Sequence, residues 1–163
     1  MGGEFKVAIT KEDLVFAAAH FITFAGHRCE KLHGHNYRAS LFVEGGLDAG
    51  SWFVVDFSAV KKIMRALTAE LDHRVLLPRD NPKLAISEQN GSVHVAFAGE
   101  PRYRFPAGDC VILPIPNTTV EMLAQYLAGR VRAELGAAHL KTIEVEVEEN
   151  FGQSASYRET LDD

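Results

Sequence analysis

Cysteine is scarce in this sequence: Cys29 and Cys110 are the only two among 163 residues. Two thiols cannot build the dense disulfide framework of a small secreted domain, and in a cytosolic chain a thiol is more often catalytic, ligating or simply buried. Long apolar runs are also missing. The longest, Leu14–Ala19 and Val111–Pro116, fall far short of the roughly 20 residues a bilayer crossing requires, so no membrane partner is expected. Basic residues are few, with 17 Lys and Arg against 22 Asp and Glu and a net charge of -5. A phosphate-backbone binder needs a basic footprint, which argues against nucleic acid. A dinucleotide-type glycine loop is absent as well. Met1–Thr10 lacks a charged leader, an apolar stretch and a small-residue cleavage site, so the expected location is the cytoplasm.

What is present reads as an ordinary globular chain. The composition is 47% apolar and 24% charged, and a chain of this length buries about 70% of its unfolded surface. No linker, repeat or low-complexity stretch interrupts it, which predicts one domain over residues 1–163. Period-2 and period-3.6 patterns alternate, so the expected class is mixed α and β. Leu14, Phe16, Ala18 and His20 share one face of a strand; Val15, Ala17, Ala19 and Phe21 share the other. Both rows are apolar, which predicts a strand covered on both sides. His33 and His35 lead into Tyr37, Ala39, Leu41 and Val43, and Gly45-Gly46 ends that strand. A helix is predicted from an Asp56 N-cap through Val60, Ile63, Met64, Leu67 and Leu71, stopping near Asp72-His73. Val75–Leu77 reads as extended. Asn90-Gly91 predicts a hairpin, and Ala107-Gly108-Asp109 a second one. Thr118-Thr119-Val120-Glu121 is a capping-box pattern for a second helix that ends at Gly136. Ile143, Val145 and Val147 alternate with Glu144, Glu146 and Glu148 as a final strand.

Several side chains in this pattern carry chemistry. In an extended His33-Gly34-His35 segment both imidazoles lie on one face and can converge on one point. His20, inside an apolar strand, needs a polar partner or a metal. Three neutral imidazoles with a vacant fourth position make a catalytic zinc site, whereas a loop with ordinary surface histidines is the competing reading. Cys29 lies four residues before His33, where it could be a fourth ligand, a nucleophile or base, or a buried structural thiol. Asp72 could hold His73 in one tautomer for proton exchange with a thiol, or His73 could cap the helix carbonyls. Glu149 continues the apolar parity of Val145 and Val147, so it points inward and needs a donor, unless a bulge turns it out. A ligand with two parallel N–H groups would satisfy it.

Taken in order, Phe16-Ala17-Ala18-Ala19-His20, Cys29-x-x-x-His33-Gly34-His35-Asn36-Tyr37, Val55-Asp56-Phe57, Leu71-Asp72-His73 and Thr119-Val120-Glu121-x-Leu123-Ala124 resemble the 6-pyruvoyl-tetrahydropterin synthase / 6-carboxy-tetrahydropterin synthase family. The resemblance implies the tunnelling (T-) fold, an α+β antiparallel sheet with two helices on one face. Its subunits would form trimeric barrels stacked as a homo-hexamer. It implies zinc on His20, His33 and His35, Cys29 as the proton-transferring thiol, and Asp72 and His73 as its supporting pair. It also implies Glu149 as the pterin anchor, with Thr119 near the pterin pocket. Thr118 stands where the family often has proline, Asn150 replaces a common threonine, and Asp80–Asp109 is longer than in compact members. The three residues between Cys29 and His33 match the queuosine-pathway branch.

The implied substrate is 7,8-dihydroneopterin triphosphate. The queuosine-type outcome releases acetaldehyde and triphosphate and leaves 6-carboxy-tetrahydropterin. The biopterin-type outcome eliminates triphosphate and keeps a 6-pyruvoyl side chain. A zinc lyase of another pterin or folate route, cleaving dihydroneopterin itself, is a further alternative, and a non-enzymatic zinc-stabilised assembly module another.

Overall fold

The computed structural model describes residues 3–26, 28–136 and 139–161. The chain runs β1 (Phe5–His20), β2 (Thr23–Phe24), β3 (Arg28–Cys29), β4 (His33–Gly45), α1 (Phe57–Leu71) and β5 (Arg74–Pro78). It continues through β6 (Leu84–Gln89), β7 (Ser92–Phe97), β8 (Glu100–Pro106), β9 (Cys110–Leu113), α2 (Val120–Leu135), β10 (Leu140–Asn150) and β11 (Gln153–Thr160). Six strands form the main sheet in the order β11-β10-β4-β1-β5-β9, and β6-β7-β8 form a separate three-stranded sheet.

One face of the main sheet and both helices enclose the principal core. Phe16, Tyr37, Leu41 and Val145 from the strands meet Met64 and Leu71 of α1 and Leu123 and Leu127 of α2 there. Helix α1 packs on β1 and β5, α2 packs on β10 and β11, and the helices touch each other. Asp56 caps α1 as expected, its carboxylate accepting from Ser58 N–H at 2.8 Å. Gly136 ends α2 in the left-handed region at φ 47°.

Five expectations change. The sheet is mixed rather than wholly antiparallel: β5 pairs parallel with β1, and β9 parallel with β5. Helix α1 carries the chain to the C-terminal end of β1, where the Asp72 carboxylate takes the Ala17 N–H, so β5 sets off in the direction of β1. The second face of β1 is only partly covered by the described residues: Val15 is 41% exposed and Ala17 and Ala19 are half-buried, while Phe21 of the same row is fully buried. The Asn90-Gly91 hairpin forms with both residues at positive φ, but Ala107–Asp109 is a 3-10 turn joining two different sheets. The turn between β7 and β8 falls instead at Ala98-Gly99, where both residues have positive φ. The cap of α2 is Thr119, whose hydroxyl accepts from Met122 N–H at 3.4 Å. That places Glu121 one position too early for a capping box. Finally, β10 is followed by β11, whose polar sequence, Gln153-Ser154-Ala155-Ser156, carries no strong strand signal.

Candidate active site

The antiparallel register of β1 and β4 builds the centre of the site. His20 lies directly opposite His33, and Ala18 opposite His35. Gly34 is the spacer that permits this approach, since a Cβ there would meet the Ala18 carbonyl oxygen at 3.0 Å. The imidazoles sit edge to face, with centroids 4.8 Å apart for His20 and His33 and 5.2 Å for His20 and His35. One ligand atom from each of the three lies within 4.8 Å of the others.

Backbone carbonyls fix two of the rings. His20 Nδ1–H donates to Thr118 O at 2.8 Å, and His33 Nδ1–H donates to Lys31 O at 2.8 Å. Each bond leaves Nε2 with its lone pair free, the arrangement of a metal-ligating histidine and its outer partner. Burial is the main influence pushing the His20 pKa down, assisted by His33 and His35 and opposed by the Thr118 hydrogen bond. A neutral imidazole is the form that ligates a metal. The donor set therefore fits zinc: three nitrogens and room for a fourth ligand.

The histidines open on a cavity of about 380 Å³ lined also by Glu30, Thr119, Glu121 and Glu149, a volume suited to one small molecule. A register shift does fall between Glu148 and Asn150. Glu149 nonetheless faces the histidines, with Oε2 3.8 Å from His35 Nε2, so the inward parity survives the bulge. The N-terminal turn of α2 brings Thr119 to the cavity wall. Thr118 is fully buried, its hydroxyl donating to Phe21 O at 3.1 Å while its carbonyl orients His20.

Cys29 and the Asp72–His73 pair are not brought together within one chain. The Cys29 thiol packs with the second apolar cluster, around Phe21 and Leu77, and donates to Glu30 O at 3.6 Å. Burial pushes this thiol up, Glu30 adds to that, and Arg102 opposes it. Asp72 and His73 do bond to each other, His73 Nδ1 lying 2.9 Å from Asp72 Oδ2. The Ala17 N–H first, and His73 next, hold the Asp72 carboxyl below its usual range. His73 instead lines a second cavity of about 490 Å³, which shares His35 with the first and has Ala17, Asn36, Arg74 and Asp109 among its walls.

Sequence reasoning missed Glu30, Glu121, Thr118 and Arg102. Glu30 had a signal, since it precedes His33 by three residues, and its Oε2 lies 3.8 Å from His33 Nε2. Glu121 stood in a quoted motif without a role. Thr118 was read only as a capping-box residue standing where the family often has proline, and its contact with His20 spans 98 positions; the contact of Arg102 with Glu30 spans 72.

A mostly antiparallel α+β sheet that presents three converging imidazoles to a small-molecule cavity defines a class of candidate metal-site enzymes. Known proteins narrow the class. The sequence pattern described as 6-pyruvoyl tetrahydropterin synthase matches residues 8–160. The 6-carboxy-5,6,7,8-tetrahydropterin synthase assigned to Methanocaldococcus jannaschii is 34% identical over 152 residues, 91% of this chain and 92% of that one. A structure of Plasmodium vivax 6-pyruvoyltetrahydropterin synthase superposes with a TM-score of 0.90 at 30% identity, over 98% of this chain and 100% of that one. That structure is a catalytic-residue mutant in which alanine replaces a glutamate. Dihydroneopterin monophosphate aldolase of Pyrococcus furiosus is 40% identical over 68 residues, 41% of this chain and 56% of that one. The chain belongs to the 6-pyruvoyl tetrahydropterin synthase family, and its fold is the T-fold of those structures.

Proposed function

We propose that this chain is a zinc-dependent 6-carboxy-5,6,7,8-tetrahydropterin synthase of the queuosine pathway. It acts on 7,8-dihydroneopterin triphosphate in the cytoplasm and releases triphosphate and acetaldehyde. The observation that carries this reading is the facing of His20, His33 and His35 by Glu149 across one cavity. The three imidazoles would hold zinc, which when bound supplies Lewis acidity for proton loss next to a coordinated oxygen. Glu149 would accept from a pterin ring N–H and its exocyclic amine together, fixing the ring's orientation, with Thr119 beside it. Cys29 would take and return the proton, supported by Asp72 and His73.

Because Cys29 and His73 lie apart within one chain, a neighbouring copy would supply the pair, in a homo-hexamer of two stacked trimeric barrels. Glu30 is a second candidate for the proton-carrying group, since it lines the cavity and a glutamate is the catalytic residue replaced in the Plasmodium vivax structure. That structural likeness favours 6-pyruvoyl-tetrahydropterin as the alternative product, and the aldolase match favours retro-aldol cleavage of a dihydroneopterin.

Incubation of the zinc-loaded protein with dihydroneopterin triphosphate, with products identified by mass, tests the proposal. Acetaldehyde with 6-carboxy-tetrahydropterin is the expected outcome. A pyruvoyl-pterin, or loss of the side chain without ring reduction, selects the corresponding alternative. Metal analysis of the same preparation should give one zinc per chain, and His33→Ala and His35→Ala should lose it.

A further inference from the structure

We propose that Arg102, on strand β8 of the small sheet, is a positioning residue that anchors the Glu30 carbonyl and supplies the positive charge favouring the Cys29 thiolate. The proposal rests on the reading of Cys29 as a proton acceptor, and it assigns a task to the long Asp80–Asp109 segment.

Two consecutive residues of β8 grip the chain between Cys29 and His33. Arg102 Nη2–H donates to Glu30 O at 3.0 Å, and the Tyr103 hydroxyl accepts from Leu32 N–H at 3.1 Å. Both side chains are held in turn. The Tyr103 ring lies 5.0 Å from Phe21 and 5.4 Å from Phe105, and the Arg102 guanidinium sits 5.2 Å from the Tyr103 ring centroid and 6.0 Å from that of Phe97. The small sheet closes over Phe21, Leu77 and Cys29 in its own apolar cluster, so the grip has a rigid base.

The electrostatics point the same way. The Glu30 carbonyl that Arg102 holds is also the acceptor of the Cys29 thiol. When the thiol ionises, it vacates that carbonyl and becomes an anion that needs a donor. Arg102 Nε is buried and without a hydrogen-bond partner, an arrangement costly for a guanidinium unless an acceptor arises nearby. Around Cys29, burial and Glu30 of its own segment both oppose ionisation, and Arg102 from β8 is the charge that favours it. The other thiol of the cluster, Cys110, is itself pushed up by burial and by Asp109. Removing Arg102 leaves the opposing influences unbalanced, so ionisation of Cys29 moves to higher pH.

The test uses the zinc-loaded protein with Cys110→Ser, which leaves one thiol, and follows iodoacetamide alkylation against pH. Arg102→Gln should raise the midpoint by about one pH unit and slow alkylation at neutral pH about tenfold. Zinc should be retained, and kcat should fall with KM little changed. Arg102→Met keeps the apolar stem over Phe97 and Tyr103 and serves as the same test where the glutamine variant fails to fold. Arg102→Lys, which restores the charge, should bring the midpoint back towards the parent. An unmoved midpoint in the uncharged variants, or a lysine that restores nothing, overturns the proposal. If the midpoint moves while Cys29→Ala retains full turnover, the proton-acceptor reading of Cys29 fails and the assignment of Arg102 stands.

Discussion

Glu148 and Glu149 are adjacent carboxylates on β10, yet β10 sends them to different surroundings. Glu148 pairs across the sheet with Arg38 and Ser154, while Glu149 approaches His35 in the cavity. Only the latter lines the cavity that holds the three imidazoles. A charge-assisted hydrogen bond contributes on the order of 1.5–3 kcal/mol, so Glu149→Gln should weaken pterin binding at least tenfold, by roughly 1.4 kcal/mol or more. The glutamine keeps the shape but turns a donor towards a pterin N–H. Glu148→Gln should change little. Pterin affinity measured by calorimetry on both variants decides the matter, and equal losses would place the anchor elsewhere. The inward parity of Glu149 and the shared face of His33 and His35 were legible because both follow from the two-residue period of a strand. Thr118 was not legible, because its role depends on a fold that brings it 98 positions back to His20.

Among the elements, local signals succeeded where the chain's own neighbours decide the outcome. Asp56 and Gly136 punctuate helices through short-range hydrogen bonds and backbone conformation. Asn90-Gly91 turns because both residues accept positive φ. Strand direction is different. That β5 runs parallel to β1 depends on where α1 deposits the chain, and β11 is recruited by its pairing with β10 despite its polar sequence. The junction of α1 and β5 can be tested through Asp72, which ties the helix end to Ala17 of β1 and bonds the imidazole of His73, whose φ is 55°. Its carboxyl titrates below the ordinary 3.8 in the folded chain. Its contribution is therefore present above that value and disappears as pH falls through the lower, folded one. Asp72→Asn should cost about 1 kcal/mol at neutral pH, a modest figure because the side chain is partly exposed. Urea unfolding should separate variant and parent above the ordinary value of 3.8 and bring them together as the pH falls below it. A gap that stays constant across that value would mean the carboxylate charge is not what ties α1 to β1.

At the scale of the whole molecule, one copy leaves sheet edges, one sheet face and the proposed pairing of Cys29 with His73 incomplete. The main sheet ends in β11 on one side and β9 on the other, and unpaired edges of this kind invite a partner strand. Its second face exposes Val15 beside the half-buried Ala17 and Ala19, an apolar row only partly covered by the described residues. Cys29 and His73 line different regions, although the proposed proton transfer requires the two to meet. The proposed closed ring of copies would resolve all three, because in a cyclic assembly each copy presents one half-site to each neighbour. In the proposed assembly of two stacked trimeric barrels, light scattering at micromolar concentration should give a homo-hexamer. The shared site makes a sharper prediction. Cys29→Ala and His73→Ala should each be inactive alone. When the two are unfolded together, refolded and reassembled at equal ratio, random mixing should restore about a quarter of the parent's sites, those combining an intact thiol with an intact imidazole from different copies. A monomer in solution, or a mixture as inactive as its components despite mixed assembly, would show that Cys29 and His73 do not serve one reaction across an interface.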